Sequence, residues 1–296
     1  MMSEQPMRVY TAENIKDFSL DNTFDCGQCF RWEKTDDGMY AGTAYGKTAV
    51  MEYDPAGETL RIHGASEEDY EKIWRRYLDL DRDYTQIKQE LSCRDAVIAK
   101  AVEFGPGIRI LNQDKWETLI SFIISQNNNI PRIKKCINSL AETLGSKAGE
   151  AGGKVFYNLP SPEVLAGASA EDLEPCRLGY RTKYLIETAG MVAEEGLDSL
   201  ERLGTDEVTS DEAFERLQRY SGVGPKVANC IALFSLGRTD RFPIDVWVKK
   251  VMHQLYGIPE NNMKAMAEFA EAHFGEYGGI AQQYLFYYIT HNTNNK

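Results

Sequence analysis

Turn-punctuated, partly alternating runs fill the front of the chain, and helical spacing fills almost everything behind them. The runs at 30–34, 39–45, 48–53 and 59–63 are separated by Asp36-Asp37-Gly38, Tyr45-Gly46-Lys47 and Asp54-Pro55-Ala56-Gly57. Such punctuation predicts an antiparallel meander. Ser66-Glu67-Glu68-Asp69 reads as a capping box opening a helix that ends near Leu80. A second helix is expected over 85–104, stopped by Gly105-Pro106-Gly107. Asp114 to Glu117 then caps the strongly apolar run 119–124, which must lie in a core. Residues 130, 133, 137, 140, 141 and 144 place apolar side chains on one helical face. Gly145 to Gly153 reads as a small-residue surface loop, and further helices are expected at about 182–195, 211–220, 226–236, 246–256, 263–274 and 280–291. Strands segregated in front of helices give an α+β chain. The expected division is an N-terminal antiparallel β domain with flanking helices over 1–110 and a helical region over 111–296.

Composition removes several classes. The 16 Tyr, 12 Phe and 4 Trp exclude wholesale disorder. No apolar run approaches the ~20 residues of a membrane span. Met1 to Gln5 is neither basic nor apolar, so no secretory signal is expected and the chain reads as soluble and intracellular. Cys26-Gly27-Gln28-Cys29 has the spacing of a redox or zinc pair, but no second pair follows and the four histidines are dispersed. No metal, iron–sulfur cluster or other cofactor is expected.

The formal net charge of −12 argues against a nucleic-acid partner until its distribution is considered. Residues 191–215 carry nine acids against one Arg, net −8, whereas 216–250 carry seven bases against two acids, net +5. A solvated charged face is the plainer explanation. The basic segment nonetheless keeps nucleic acid open.

That segment holds the most informative stretch, 217–231. A helix is expected to end at Ser221, Gly222-Val223-Gly224 to form a tight hairpin, and Pro225 to begin the next helix where proline is tolerated. Glycines let a partner approach the backbone closely, and a helix start offers free N–H groups to an anion such as a DNA phosphate. A plain helical corner would look the same. Lys226 falls in the first turn of that helix, where the macrodipole disfavours a cation. Stability alone does not put a lysine there, and the setting favours the neutral amine that a nucleophile needs. A surface lysine on a phosphate is the alternative. Asp245, in Pro243-Ile244-Asp245-Val246-Trp247, reads as an N-cap worth about 1 kcal/mol. A cap carboxylate facing Lys226 could also stabilise positive charge developing on a sugar.

The Gly-Val-Gly-Pro-Lys hairpin followed by Pro-Ile-Asp-Val resembles the helix-hairpin-helix DNA glycosylases, and Lys226 points to their lyase-competent branch. Ser125-Gln-Asn-Asn-Asn-Ile-Pro-Arg-Ile133, Leu178-Gly-Tyr-Arg181 and Cys26-Gly-Gln-Cys-Phe-Arg-Trp32 resemble segments of the 8-oxoguanine DNA glycosylases. The likeness runs from about residue 16 to about 288, in order.

The resemblance implies a β domain followed by two helical domains with a cleft between them. It implies that a damaged nucleotide is flipped from double-stranded DNA containing 8-oxoguanine. Lys226 would attack C1′, Asp245 would stabilise the oxocarbenium-like charge, and a Schiff base would permit β-elimination. Phe286 and Cys230 match the residues that sandwich the flipped base, and Gln282 the one bonding its Watson–Crick edge. Gly27 matches the residue whose carbonyl accepts the N7 proton that 8-oxoguanine has and guanine lacks. Without the likeness, Gly27 is a turn glycine and Phe286 a core aromatic. Asn127 matches the gap-filling residue, Tyr180 a wedge, and Arg132 and Arg181 the pair reading the orphan cytosine, although phosphate contacts or salt bridges would also explain two arginines. Gly222, Val223, Gly224 and Trp247 fall where the family holds phosphate.

Trp247 departs from a family histidine and Ile289 from its carboxylate partner, so apolar packing is expected to replace a polar pair. Pro131, at a helix start, should be harmless. Other expectations are a monomer, a prokaryotic cytoplasm and a preference for cytosine opposite the lesion. A glycosylase for an alkylated purine and a non-catalytic damaged-DNA binding module remain the alternatives.

Overall fold

The computed structural model describes residues 8–292; the reading of Met1 to Gln5 lies outside the described residues. Five strands, β1 (Val9–Ala12), β2 (Trp32–Lys34), β3 (Tyr40–Ala44), β4 (Lys47–Asp54) and β5 (Thr59–His63), form one antiparallel sheet in the order β1-β5-β4-β3-β2. The meander β2 to β5 is the one expected. β1 is an addition, pairing Val9 with His63 and Ala12 with Leu60 along the outer edge of β5. Tyr45 and Gly46 join β3 to β4 with φ of 50° and 73°. Positive φ at both central residues is what a two-residue type I′ hairpin requires.

One face of the sheet buries Trp32, Tyr40, Met51, Leu60 and Ile62 against Phe24, Trp74, Tyr77 and Leu78. Phe24 stacks on Trp32 at 4.7 Å, and the Trp32 indole donates to the Tyr77 hydroxyl at 2.7 Å. The helix carrying Trp74 and Tyr77 opens with the expected Ser66/Asp69 capping box. It takes a π-helical turn over Tyr70–Trp74 and ends at Tyr77, three residues before the expected Leu80.

Two sequence expectations need correction. The helix expected over 85–104 is two helices, Tyr84–Ser92 and Ala96–Phe104. Asp95 breaks it by capping the second: its Oδ1 accepts from the Val97 and Ile98 amides at 2.6 and 2.9 Å. The loop expected over 145–153 is largely a hairpin, β6 (Lys147–Ala151) with β7 (Lys154–Tyr157). Gly152 and Gly153, with φ of 55° and 75°, supply its turn. Ala151 and Phe156 then cover Ala41 and Val50 on the other side of the sheet. Short helices at Leu20–Phe24, Pro162–Ala166 and Asp198–Leu203 also escaped the sequence reading.

The helical region shares one large core. At its centre lies Lys115–Ser125, capped by Asp114 as expected, with Leu119, Ile120, Ile123 and Ile124 all fully buried. Complete burial of each such side chain contributes roughly 1.5–3 kcal/mol. The helix packs against Pro225–Ser235, the helix that carries Lys226. Among the described residues, no helix is long and apolar enough to cross a membrane.

Candidate active site

The helix before the hairpin is Ser210–Leu217, ending four residues before the expected Ser221, and a turn carries the chain to Ser221. The two hairpin glycines do different work. Gly222 has φ of 78°, and a Cβ there would sit 2.7 Å from the Tyr184 ring, so only glycine fits. Gly224 has open space on that side. Ser221 is held from the neighbouring helix, whose Thr188 hydroxyl donates to the Ser221 carbonyl at 2.8 Å. Pro225–Ser235 begins at Gly224 with no side-chain cap, leaving its first amides available to an anion.

Lys226 is half-buried and turns inward: its Nζ lies 5.3 Å from the centroid of the Phe122 ring. Cys230 follows one turn later. Burial pushes its thiol above the ordinary value, while the adjacent Lys226 side chain works in the opposite direction. Asp245 also acts on Cys230 electrostatically, so all three belong to one neighbourhood. Asp245 N-caps Val246–Tyr256, as expected, accepting from the Trp247 and Val248 amides at 3.0 and 2.8 Å. Both bonds fall on Oδ1, so the cap leaves Oδ2 unengaged.

A cavity of about 60 Å³ joins these groups to the base-recognition candidates. Lys226, Asp245, Cys230, Gly27, Gln282 and Phe286 all line it. Gln282 is 4% exposed and its Oε1 has no partner. An unsatisfied buried acceptor costs about 1–3 kcal/mol, which a ligand donor would recover. Phe286 is half-buried on the final helix and close to Gly27: a Cβ added to Gly27 would lie 3.3 Å from its ring. The sequence reading missed Cys26, Phe122, Phe234, Pro243 and Gln283 in the same wall.

The opposite-base candidates gather around a second feature, the loop between Lys115–Ser125 and Ile130–Leu144. Asn127 is exposed there with φ of 45°, and Asn129 caps the following helix by accepting from the Arg132 amide at 3.1 Å. Pro131 sits harmlessly in that first turn. Arg132 is exposed, and Tyr180 is 53% exposed. Arg181 is different, being only 3% exposed. It donates to the Gln126 carbonyl, to Asn127 O at 3.0 Å and to Leu178 O at 3.1 Å. Its guanidinium also lies 4.6 Å from the Tyr180 ring centroid. It therefore holds the Asn127 loop, whereas Arg132 is exposed, with Cys136 one turn on as its side-chain hydrogen-bond partner.

The two residues expected to bring apolar packing in place of a polar pair differ in burial. Ile289 is in the helical core, while Trp247 remains 36% exposed with Lys250 Nζ 4.4 Å over its ring. The basic segment is also partly spent on structure. Arg238 donates to the Leu203, Thr205 and Val208 carbonyls, and Arg241 pairs with Asp211 and Asp240. Among the described residues, no cluster of three or more His, Cys, Asp or Glu is placed to hold a metal.

Two family models match the sequence. The 8-oxoguanine DNA glycosylase N-terminal domain matches residues 11–119, and the HhH-GPD superfamily base excision DNA repair protein matches 120–273. The N-glycosylase/DNA lyase OGG1 of Arabidopsis thaliana is 32% identical over 282 residues, spanning 91% of this chain and 77% of that protein. The N-glycosylase/DNA lyase of Saccharomyces cerevisiae is also 32% identical, over 84% of this chain and 71% of its own length. Among solved structures, the 8-oxoguanine glycosylase/lyase of Clostridium acetobutylicum, in complex with double-stranded DNA containing cytosine opposite 8-oxoG, superposes with a TM-score of 0.88. It is 42% identical, over 97% of this chain and 99% of that one. The 3-methyladenine DNA glycosylase of Archaeoglobus fulgidus shares the fold at a TM-score of 0.77 but only 20% identity.

Proposed function

The chain belongs to the 8-oxoguanine DNA glycosylase family, and we propose that it excises 8-oxoguanine from duplex DNA through Lys226 and then cleaves the strand as a lyase. The observation that carries this reading is the convergence of Lys226 and Asp245, from two helices, on a cavity where Gln282 Oε1 lacks a donor. N–H groups on the Watson–Crick edge of a flipped guanine derivative would supply it.

In the proposed sequence the neutral Lys226 amine forms a bond to C1′ as the C1′–N9 bond breaks. The base departs with the bonding electrons and is protonated. The free Oδ2 of Asp245 stabilises the positive charge that builds on the sugar, since a carboxylate in a water-poor site acts strongly on developing charge. Loss of an amine proton and opening of the ring give a Schiff base. Removal of a C2′ proton then expels the 3′ phosphate. Phe286 and Cys230 flank the base, and the Gly27 carbonyl accepts the N7 proton of the lesion while repelling the guanine lone pair.

On the other strand, the exposed Arg132 donates to the orphan cytosine, Tyr180 wedges between bases and Asn127 fills the gap. Arg181 keeps that loop in shape and offers its remaining donor to the same base. The amides of 222–224 and the exposed Trp247–Lys250 pair meet the backbone, and one monomer serves one flipped nucleotide.

The test is release of free base from three duplexes: 8-oxoguanine opposite cytosine, 8-oxoguanine opposite adenine, and 3-methyladenine. The reading expects fast release from the first and slower release from the second. Release of 3-methyladenine alone would overturn it.

A further inference from the structure

Gly27 is the least constrained residue type in the place where discrimination demands the most constraint. Its φ of 78° lies where only glycine is relaxed, and glycine leaves the next peptide plane free to rotate. That plane carries the Gly27 carbonyl. A carbonyl turned away from N7 would neither attract the lesion nor repel guanine, because hydrogen bonds weaken steeply below about 120°.

The peptide groups on both sides of this carbonyl are pinned by distant glutamines. Before it, the Cys26 carbonyl accepts from Gln283 Nε2 at 3.2 Å, and the same nitrogen lies 3.2 Å from Cys26 Sγ. After it, the Gln28 carbonyl accepts from Gln113 Nε2 at 2.7 Å. The intervening Gln28 side chain is wholly buried and anchored through both its amide atoms, with Nε2 also 3.2 Å from Cys26 Sγ. Its Nε2 donates to Thr23 O and Arg109 O, each at 2.8 Å, and its Oε1 accepts from the Leu111 amide at 2.9 Å. Gln283 is itself buried beside Gln282 on the final helix, and the Gln113 amide is tied to Phe234 O at 2.9 Å. The clamp thus reaches both other walls of the cavity, since Phe234 and Gln282 line it too.

We propose that Gln113 and Gln283 are positioning residues for lesion recognition, clamping the loop on either side of Gly27 so that its carbonyl is held toward the flipped base. This rests on the reading that the Gly27 carbonyl accepts the N7 proton. Gln113 lies outside the wall that holds Lys226 and Asp245, so it is not needed once the base has gone, whereas Gln283 lines that wall.

The experiment exploits that separation. Gln283→Met and Gln113→Met remove each donor with little change in volume. Single-turnover excision of 8-oxoguanine opposite cytosine is compared with strand cleavage at a preformed abasic site, both on the full chain. The expected result for both variants is at least a tenfold loss of excision, and abasic-site cleavage within twofold of wild type is expected of Gln113→Met, which lies outside the cavity wall. Loss of both activities together in Gln113→Met, as damaged folding would give, or no loss of excision in either variant, overturns the inference. Should Gln283→Met not fold, Gln113→Met, at a less buried position, decides the question alone. Failure of the wild-type chain to excise 8-oxoguanine while cleaving abasic sites would instead remove the underlying reading.

Discussion

Lys226 Nζ lies 5.3 Å from the centre of the Phe122 ring, so the face of a core aromatic braces the amine proposed as the nucleophile. Phe122 is in turn stacked on Phe234 at 5.5 Å and meets Phe30 edge-on at 5.6 Å. A cation over a ring gains about 0.5–2 kcal/mol, enough to prefer one lysine rotamer over its alternatives. Phe122→Leu keeps the position apolar and removes the ring. Excision is expected to slow several-fold, with a stability loss of about 1–2 kcal/mol. Single-turnover kinetics and a thermal melt check both, and unchanged excision would show that the ring does not place the amine.

The hairpin glycines should separate on substitution. Gly222→Ala forces a Cβ into the Tyr184 ring at a positive φ, and a loss of roughly 1–3 kcal/mol is expected. Gly224→Ala meets open space at φ of −92°, so its melting temperature should match wild type. Its binding to duplex should nonetheless weaken about equally with and without the lesion, because backbone contacts carry no sequence information. Fluorescence anisotropy on both duplexes measures this.

Arg132 and Arg181 should also part company. Arg132→Ala leaves the fold alone and is expected to erase most of the preference for cytosine over adenine, a contact worth about 1–3 kcal/mol. Arg181→Ala should lower thermal stability as well, because it releases the Gln126 and Asn127 carbonyls. Equal melting curves for the two variants would contradict the strapping role.

Glu117 supplies a pH dependence. It lies 3.6 Å from Arg31, yet burial outweighs that attraction and pushes its carboxyl up to about 7. The folded chain therefore holds this proton more tightly than the unfolded chain does. Its contribution is complete below the ordinary value of 4.5 and is lost as pH rises through about 7. Glu117→Gln should accordingly gain about 1–3 kcal/mol on wild type between pH 5 and pH 8. Denaturant titrations at the two pH values test the sign.

What could be read in advance was what local chemistry encodes. Asp245 as a cap, Pro225 at a helix start and the apolar face of 130–144 are signals contained within a few residues, and each stands where expected. The hairpin β6–β7 was hidden because Lys147-Ala-Gly-Glu-Ala151 has no apolar alternation; it forms by covering Ala41 and Val50. The break at Asp95 was hidden because apolar spacing continues across it, and only the cap bonds interrupt the helix. The glutamines around Gly27 left no trace, since their partners are backbone carbonyls 85 and 257 residues away. Arg181 was legible as a residue but not as a buried strap, because burial is decided by a loop more than fifty residues earlier.

Borohydride trapping on a duplex holding one 8-oxoguanine opposite cytosine, with wild type beside Lys226→Gln, tests the central claim most directly. The account predicts a covalent protein–DNA band with wild type and none with the variant. An untrapped wild-type reaction that still leaves alkali-labile sites would mean that water is the nucleophile, and an equal band from Lys226→Gln would mean that another amine is; either result contradicts the account.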